Sequence, residues 1–313
     1  MDRERFVRRL AQRLPPERVR TDAPLAPLTT FQIGGPADWI VEVRSEDELA
    51  AMLDAAREAG VPVTVLGGGS NVLVADSGIR GVVVRPKLTG ISRPAPDRVR
   101  AECGVTMNGL VRWTAGRGLA GLEAWAGTPG TVGGAIHGNA HWGGRNIGDL
   151  VVSVMLMTRQ GEPAEVPAAA MGFAYDTSRL QTTGELVIWA EVRVGTGDPE
   201  ALRATARASL AYRKRTQPLA LPSAGCLFRN PDPARDRLPA GMPASAGALV
   251  DRVGLKGYRI GGASISATHA NFVVNDGTAT ARDVRALVET ARAAVRDRFG
   301  VDLRDEVVYL GTF

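Results

Sequence analysis

The chain has 313 residues, 44% hydrophobic and 23% charged, with a net charge of +5, which excludes disordered, collagen-like and disulfide-scaffold classes. No run of 18 apolar residues exists, excluding a membrane-spanning helix, and two cysteines, Cys103 and Cys226, make no disulfide framework. The positive residues are interleaved with Asp and Glu, so a small anionic ligand is expected rather than nucleic acid.

The first residues, Met1-Asp-Arg-Glu-Arg-Phe-Val-Arg-Arg9, lack the apolar stretch of a secretory signal, so a soluble cytoplasmic protein is expected. At about 150 residues per domain, two domains are expected. Residues 3–14 predict a short helix stopped by Pro15 and Pro16, 29–36 a turn, and 39–43 a strand. Ser45 and Glu48 form a capping-box pattern for a helix with Leu49, Met52, Leu53 and Ala56 on one face, ended by Gly60. Residues 61–66 then read as a buried strand, giving a β-α-β unit.

After that strand comes Gly67-Gly68-Gly69-Ser70-Asn71, followed by Val72-Leu-Val74, another strand. A dinucleotide-fold or P-loop site needs a helix there, so neither motif holds. Successive main-chain N–H groups can still form an anion-binding concavity, with Ser70 and Asn71 adding side-chain donors. Residues 106–117 predict an amphipathic helix ending at Gly118. A second glycine stretch, Gly127-Thr-Pro-Gly130-Thr131-Val132-Gly133-Gly134-Ala-Ile-His-Gly-Asn139, combines glycine with residues that want burial. Thr131 is placed to cap a short helix at 132–136, whose first N–H groups are expected to face an anion. The two runs read as two main-chain grips on one long ligand.

Strands are expected at 82–84, Val151–Met157 and 186–194, giving an α+β domain to about residue 197. The loop 195–199 is the expected boundary, followed by helices at 199–213, 245–253 and Ala281–Phe299 and strands at 270–275 and 306–310. His137, His141 and His269 lack metal-ligand spacing; no metal is expected, and all three read as structural or pocket-lining.

Taken together, the motifs resemble the UDP-N-acetylenolpyruvoylglucosamine reductase family over nearly the whole chain. The resemblance rests on Thr30-Phe-Gln-Ile-Gly-Gly-Pro36, the two glycine runs with Asn139, and Ser223-Ala-Gly-Cys-Leu-Phe-Arg-Asn-Pro231. It is carried further by Gly254-Leu-Lys-Gly-Tyr-Arg-Ile-Gly-Gly-Ala263, His269-Ala-Asn-Phe272 and Glu306. Residues 173–186 run on without the covering loop of one family branch, which suggests the shorter-loop branch. The resemblance implies an α+β protein with a two-part FAD-binding domain of the vanillyl-alcohol-oxidase-like type and a smaller substrate domain. The FAD region is expected at 1–197 (parts 1–90 and 91–197, with 306–313 returning to it), and the substrate domain at 198–305. It implies noncovalent FAD, NADPH as co-substrate, and reduction of an enolpyruvyl nucleotide sugar in peptidoglycan precursor synthesis by a monomer.

Residue by residue, the resemblance implies FAD contacts at Gly67, Gly68, Gly69, Ser70, Asn71, Gly130, Thr131, Val132, Gly133, Gly134 and Asn139. It implies substrate contacts at Tyr175, Lys214 and Asn230, and catalytic roles for Cys226, which stands where the family usually has a serine proton donor, and Glu306. A thiol is a far stronger acid than an aliphatic hydroxyl, so the exchange is chemically workable. One departure matters: the family's Phe-x-Tyr-Arg-x-Ser stands here as Phe173-Ala-Tyr-Asp-Thr-Ser178, with Asp176 in place of the arginine expected to polarise the substrate carboxylate. Arg179, three residues on, or another pocket arginine is expected to take over. Two other readings stand beside this one: an FAD-dependent oxidase of another small substrate, and a catalytically impaired flavin- or nucleotide-binding relative, the latter because of Asp176.

Overall fold

The computed structural model describes residues 2–313, which gather into two units. One comprises residues up to Ala23, 38–68 and 80–212; the other comprises 24–37, 69–79 and 213–313. The expected boundary at 197/198 therefore moves, and two short segments from the N-terminal third join the second unit.

The first unit is built on two sheets. A four-stranded sheet has the order Val19–Pro24, Pro36–Val43, Ile79–Pro86, Val63–Val65, the last pair running parallel. The expected β-α-β unit is thus split, because Ile79–Pro86 lies between its two strands. Its helix, Glu46–Glu58, starts where Ser45 Oγ accepts from the Glu48 N–H at 3.1 Å. The reciprocal half of the box is absent: Glu48 accepts instead from the Arg44 N–H at 2.7 Å and from Arg18 at 2.6 Å. Leu49, Met52, Leu53 and Ala56 are buried as expected, in one cluster with Trp39, Val41, Val82 and Val84. Each large apolar side chain so buried contributes about 1.5–3 kcal/mol. The second sheet is five-stranded and antiparallel, in the order Pro163–Pro167, Val151–Met157, Leu186–Arg193, Arg98–Glu102, Ile91–Ala95.

The helix Pro199–Thr216 begins where the new domain was expected, yet as far as Tyr212 it belongs to the first unit. The cause is a hydrogen-bond chain: Trp142 Nε1 donates to Ser209 Oγ at 3.1 Å, and Ser209 Oγ donates to the Ala124 carbonyl at 2.7 Å.

In the second unit a three-stranded antiparallel sheet (Arg259–Ile260, Ala263–Ile265, Val273–Asn275) shares a core with the helix Ala281–Phe299. That helix has a complete capping box between Thr280 and Asp283, buries Val284, Leu287, Val288 and Val295, and ends at left-handed Gly300. Its first N–H groups, on Ala281 and Arg282, also donate to the two Asp76 carboxylate oxygens at 2.7 and 3.1 Å. Val72–Val74 runs parallel to Val308–Leu310, and Phe31, Ile33 and Leu73 join Phe228, Leu249 and Val250 in one core. The last strand was expected to return to the FAD region; it pairs with a segment, 72–74, that belongs with the C-terminal unit.

Candidate active site

In the first unit the two glycine runs meet. A Cβ on Gly68 would lie 2.6 Å from the Gly130 Cα, and one on Gly67 would lie 2.7 Å from Thr131 Oγ1. No side chain fits between main chains at that separation, so the turns are packed as one piece. Among the described residues, none of the main-chain N–H groups of Gly67, Gly68, Gly130 and Thr131, all in this unit, donates to a protein acceptor. These groups are half-buried or buried. Clustered N–H groups without carbonyl partners in a partly desolvated turn are a binding site for an anionic oxygen. The cradle therefore fits the diphosphate of a dinucleotide.

The helix start contributes less than the sequence suggested. Val132–His137 forms, with Thr131 Oγ1 accepting from the Gly134 N–H at 3.4 Å. However, the Val132 N–H donates to Val105 O at 2.8 Å and that of Gly133 to Cys103 O at 2.9 Å. The expected anion-facing N–H groups at 132–134 are thus engaged by protein, and these residues serve packing. Asn139, 2% exposed with φ of 45°, is likewise engaged: its amide donates to Ala174 O at 2.7 Å and accepts from the Gly148 N–H at 2.9 Å. It staples the 173–178 turn rather than presenting its side chain to a cofactor.

That turn holds the residue expected to be arginine. Ala174 and Thr177 exchange both main-chain hydrogen bonds at 3.1 Å, with Tyr175 and Asp176 at the tip and Asp176 left-handed at φ 50°. Asp tolerates this conformation better than most side chains. Asp176 Oδ1 lies 2.9 Å from His141 Nδ1, and Tyr175 stacks on the same imidazole at 4.8 Å between centroids. Arg179 does not reach toward this turn's tip. Its guanidinium forms a two-pronged pair with Glu185 at 2.9 and 2.7 Å, which corrects the expectation that it replaces the missing arginine. Ser178 is buried and donates to His137 O at 2.7 Å.

The second unit assembles Asn71, Cys226 and Glu306. Asn71 Nδ2 donates to Glu306 O at 3.1 Å, and the Glu306 N–H donates to Leu227 O at 2.8 Å, one residue from Cys226. Cys226 forms an isolated bridge with Phe272. Buried Asn271 fixes the segment from behind by accepting from the Phe228 N–H at 3.0 Å and donating to Phe228 O at 2.7 Å. Glu306 and the thiol are both half-buried. Asn230 Oδ1 accepts from the Ala246 N–H at 3.1 Å, so this expected substrate contact also holds the start of the helix Ala246–Arg252.

One residue was missed in the sequence. Arg213, 5% exposed, carries a guanidinium whose pKa burial pushes down to about 10, opposed by the charge of Cys226. It places a cation where it favours the thiolate. The selected neighbour, Lys214, is exposed. The signal was the Arg213-Lys-Arg215 cluster itself, but only the helix phase separates the inward residue from the outward one. Burial pushes the Cys103 thiol up to about 12, so that cysteine is inert. Burial also lowers the pKa of His137, and that of His269 with help from Lys256. Both stay neutral near pH 7, consistent with structural roles. Among the described residues no cluster of three or more candidate ligands suits a metal ion.

Comparison with known proteins adds to this geometry. A profile described as "FAD binding domain" matches residues 37–166, and one described as "UDP-N-acetylenolpyruvoylglucosamine reductase, C-terminal domain" matches 217–310. The chain is 44% identical over 306 residues to the UDP-N-acetylenolpyruvoylglucosamine reductase of Anaeromyxobacter dehalogenans (strain 2CP-C), covering 97% of this chain and 89% of that one. It is 40% identical over 298 residues to that of Synechococcus sp. (strain JA-3-3Ab), covering 95% and 92%. Its structure is similar to the crystal structure of the reductase from Thermus caldophilus, with a TM-score of 0.78 and 32% identity over 94% of this chain and 100% of that one.

Proposed function

The chain belongs to the UDP-N-acetylenolpyruvoylglucosamine reductase family, and from that premise we propose how its own residues divide the work. The reaction is the NADPH-dependent reduction of UDP-N-acetylglucosamine enolpyruvate to UDP-N-acetylmuramate, a step of peptidoglycan precursor synthesis. Bound FAD supplies the hydride chemistry between NADPH and the enolpyruvyl double bond.

In this reading the N–H groups of Gly67, Gly68, Gly130 and Thr131 hold the FAD diphosphate. Cys226 delivers its Sγ proton to the carbon alpha to the substrate carboxylate, leaving a thiolate that Arg213 stabilises until solvent reprotonates it. Glu306 works beside the thiol at the carboxyl end of the substrate. Exposed Lys214 and Tyr175 meet the diphosphate and sugar, and Asn230 helps shape that side. We further propose a cytoplasmic monomer whose product supports wall growth, cell shape and division. No described helix is long and apolar enough to cross a membrane.

The observation that carries this assignment is the hydrogen-bond path from Asn71 through Glu306 to Leu227, which links Asn71, the Glu306 segment and the neighbour of the thiol within the second unit. Cys226→Ala tests it. Reduction of bound flavin by NADPH is expected to persist while product formation falls about 10²–10⁴-fold; Cys226→Ser is expected to recover part of the loss. An alanine variant with unimpaired turnover would remove the thiol from the mechanism.

A further inference from the structure

In the second unit, Arg292 meets Asp305 at 2.5 Å and Glu289 at 2.6 Å, and Arg304 meets Asp236 at 3.3 Å. Arg229, between Cys226 and Asn230 in the same unit, has no such match. It is half-buried, and its Nε is fully buried with no hydrogen-bond partner. Among the described residues its side chain makes no ion pair, hydrogen bond or ring contact. A guanidinium nitrogen shut away from water without an acceptor is unfavourable in the resting protein. An anionic ligand would satisfy it.

The pairing around Arg229 fixes which way it faces. Phe228 and Asp305 form an antiparallel bridge, flanked by the Arg229 N–H donating to Arg304 O at 2.9 Å and the Glu306 N–H donating to Leu227 O at 2.8 Å. Both bridge members meet Arg292 of the helix Ala281–Phe299: Asp305 through the ion pair, Phe228 with the guanidinium 5.8 Å from its ring centre. Side chains alternate along extended chain, so the next residues, Arg229, Arg304 and Glu306, share the side turned away from that helix. Arg229 and Glu306 are diagonal neighbours there, with backbones roughly 7–8 Å apart. Of the two cations on that side, Arg304 is neutralised by Asp236 and Arg229 is not. Asn271 grips both main-chain groups of Phe228, at 3.0 and 2.7 Å, so Arg229 projects from a fixed backbone.

We propose that Arg229 binds the carboxylate of the enolpyruvyl nucleotide sugar, on the Glu306 side, and so supplies from the second unit a positive charge that the chain lacks at position 176. Negative charge grows on that carboxylate as the adjacent double bond is reduced, and a cation placed in advance stabilises it. The inference rests on the reductase reading, which wild-type turnover of the enolpyruvyl sugar tests separately.

The test uses the holoenzyme. Arg229→Gln is expected to raise KM for the enolpyruvyl nucleotide sugar about tenfold or more and to lower kcat about 10²–10³-fold. NADPH reduction of bound flavin, measured without nucleotide sugar, is expected to stay unchanged. Arg229→Lys, which keeps the charge but loses the planar fork, is expected to recover part of both losses. Binding of UDP-N-acetylglucosamine, which has the diphosphate but no enolpyruvyl carboxylate, is expected to be the same in wild type and both variants. Removing an unmatched cation relieves the resting protein, so Arg229→Gln is expected to melt no lower than wild type, while the stabilisation given by the enolpyruvyl sugar shrinks. Arg304→Gln is the control: loss of the Asp236 pair is expected to lower the melting midpoint and leave KM in place. A glutamine variant with wild-type KM and kcat overturns the proposal. Equal weakening of the enolpyruvyl sugar and UDP-N-acetylglucosamine overturns it by moving the contact to the diphosphate. A lower melting midpoint with undiminished stabilisation by the sugar also overturns it, by leaving Arg229 a structural role. Wild-type protein whose flavin is reduced but which never converts the sugar refutes the reductase reading instead.

Discussion

Gly68→Ala puts a methyl group where the structure has no room. Its Cβ would stand 2.6 Å from the Gly130 Cα and 3.2 Å from the Gly130 carbonyl carbon, against 3.4–4 Å for ordinary contact. Both neighbours are main chain, so no rotamer change relieves the overlap, and the two turns must part by about 0.8 Å. Overpacking of this kind costs about 1–3 kcal/mol. If that strain is carried by the turns whose N–H groups face the cofactor, FAD binding weakens by about 5- to 150-fold. The assay is titration of apoprotein with FAD, following flavin fluorescence, beside a thermal melt. Gly60→Ala is the control: its φ is also positive, 64°, but nothing lies within 4 Å. It should lose about 1–2 kcal/mol of stability from the conformation alone, with flavin affinity intact. Wild-type affinity in Gly68→Ala would refute the claim that the two turns form one rigid cradle.

Three other outcomes are expected. A disulfide reagent should label one thiol in the native protein, Cys226, and two after unfolding, since Cys103 is buried and pushed up to about 12; Arg213→Gln should slow the first labelling several-fold, and an unchanged rate would deny the cation's influence. Asp276 is held down to about 2 by the Thr278 hydroxyl first and by Arg259. Its contribution is therefore whole above about pH 4, the ordinary carboxylate value, and is lost as pH falls toward about 2. The melting difference between wild type and Asp276→Asn should accordingly shrink over that window, and a difference constant down to its lower end would contradict the assignment. Arg179→Ala should lower the melting midpoint by a few degrees through the loss of the Glu185 pair, with substrate KM unmoved. A tenfold rise in KM would return Arg179 to the site.

What could be read from the sequence followed the range of the interaction concerned. The helix Ala281–Phe299 and the strand Val151–Met157 were placed residue for residue, because caps and periodicity are local. The glycine runs were legible as a pair, and they do meet at Gly68 and Gly130. The engagement of the Val132 and Gly133 N–H groups by Val105 and Cys103 was not legible, since those acceptors lie about thirty residues upstream. Asp176 read as a defect until folding brought His141, 35 positions away, to its carboxylate. Arg213 and Lys214 are indistinguishable as letters; burial of one helix face separates them. The unit boundary was misplaced because a polar loop at 195–199 is a strong local signal, whereas Ser209 and Trp142 hold the following helix through long-range bonds.

The parallel pairing of Val72–Val74 with Val308–Leu310 also sets an order of events during synthesis. Asn71 emerges from the ribosome 235 residues before Glu306, its hydrogen-bond partner. At ordinary translation speeds that interval is on the order of ten to fifty seconds. Throughout it, the apolar edge of Val72–Val74 and the Asn71 amide stay without their closing partners. These are therefore late contacts of the second unit, made only once residues 306–310 have been synthesised.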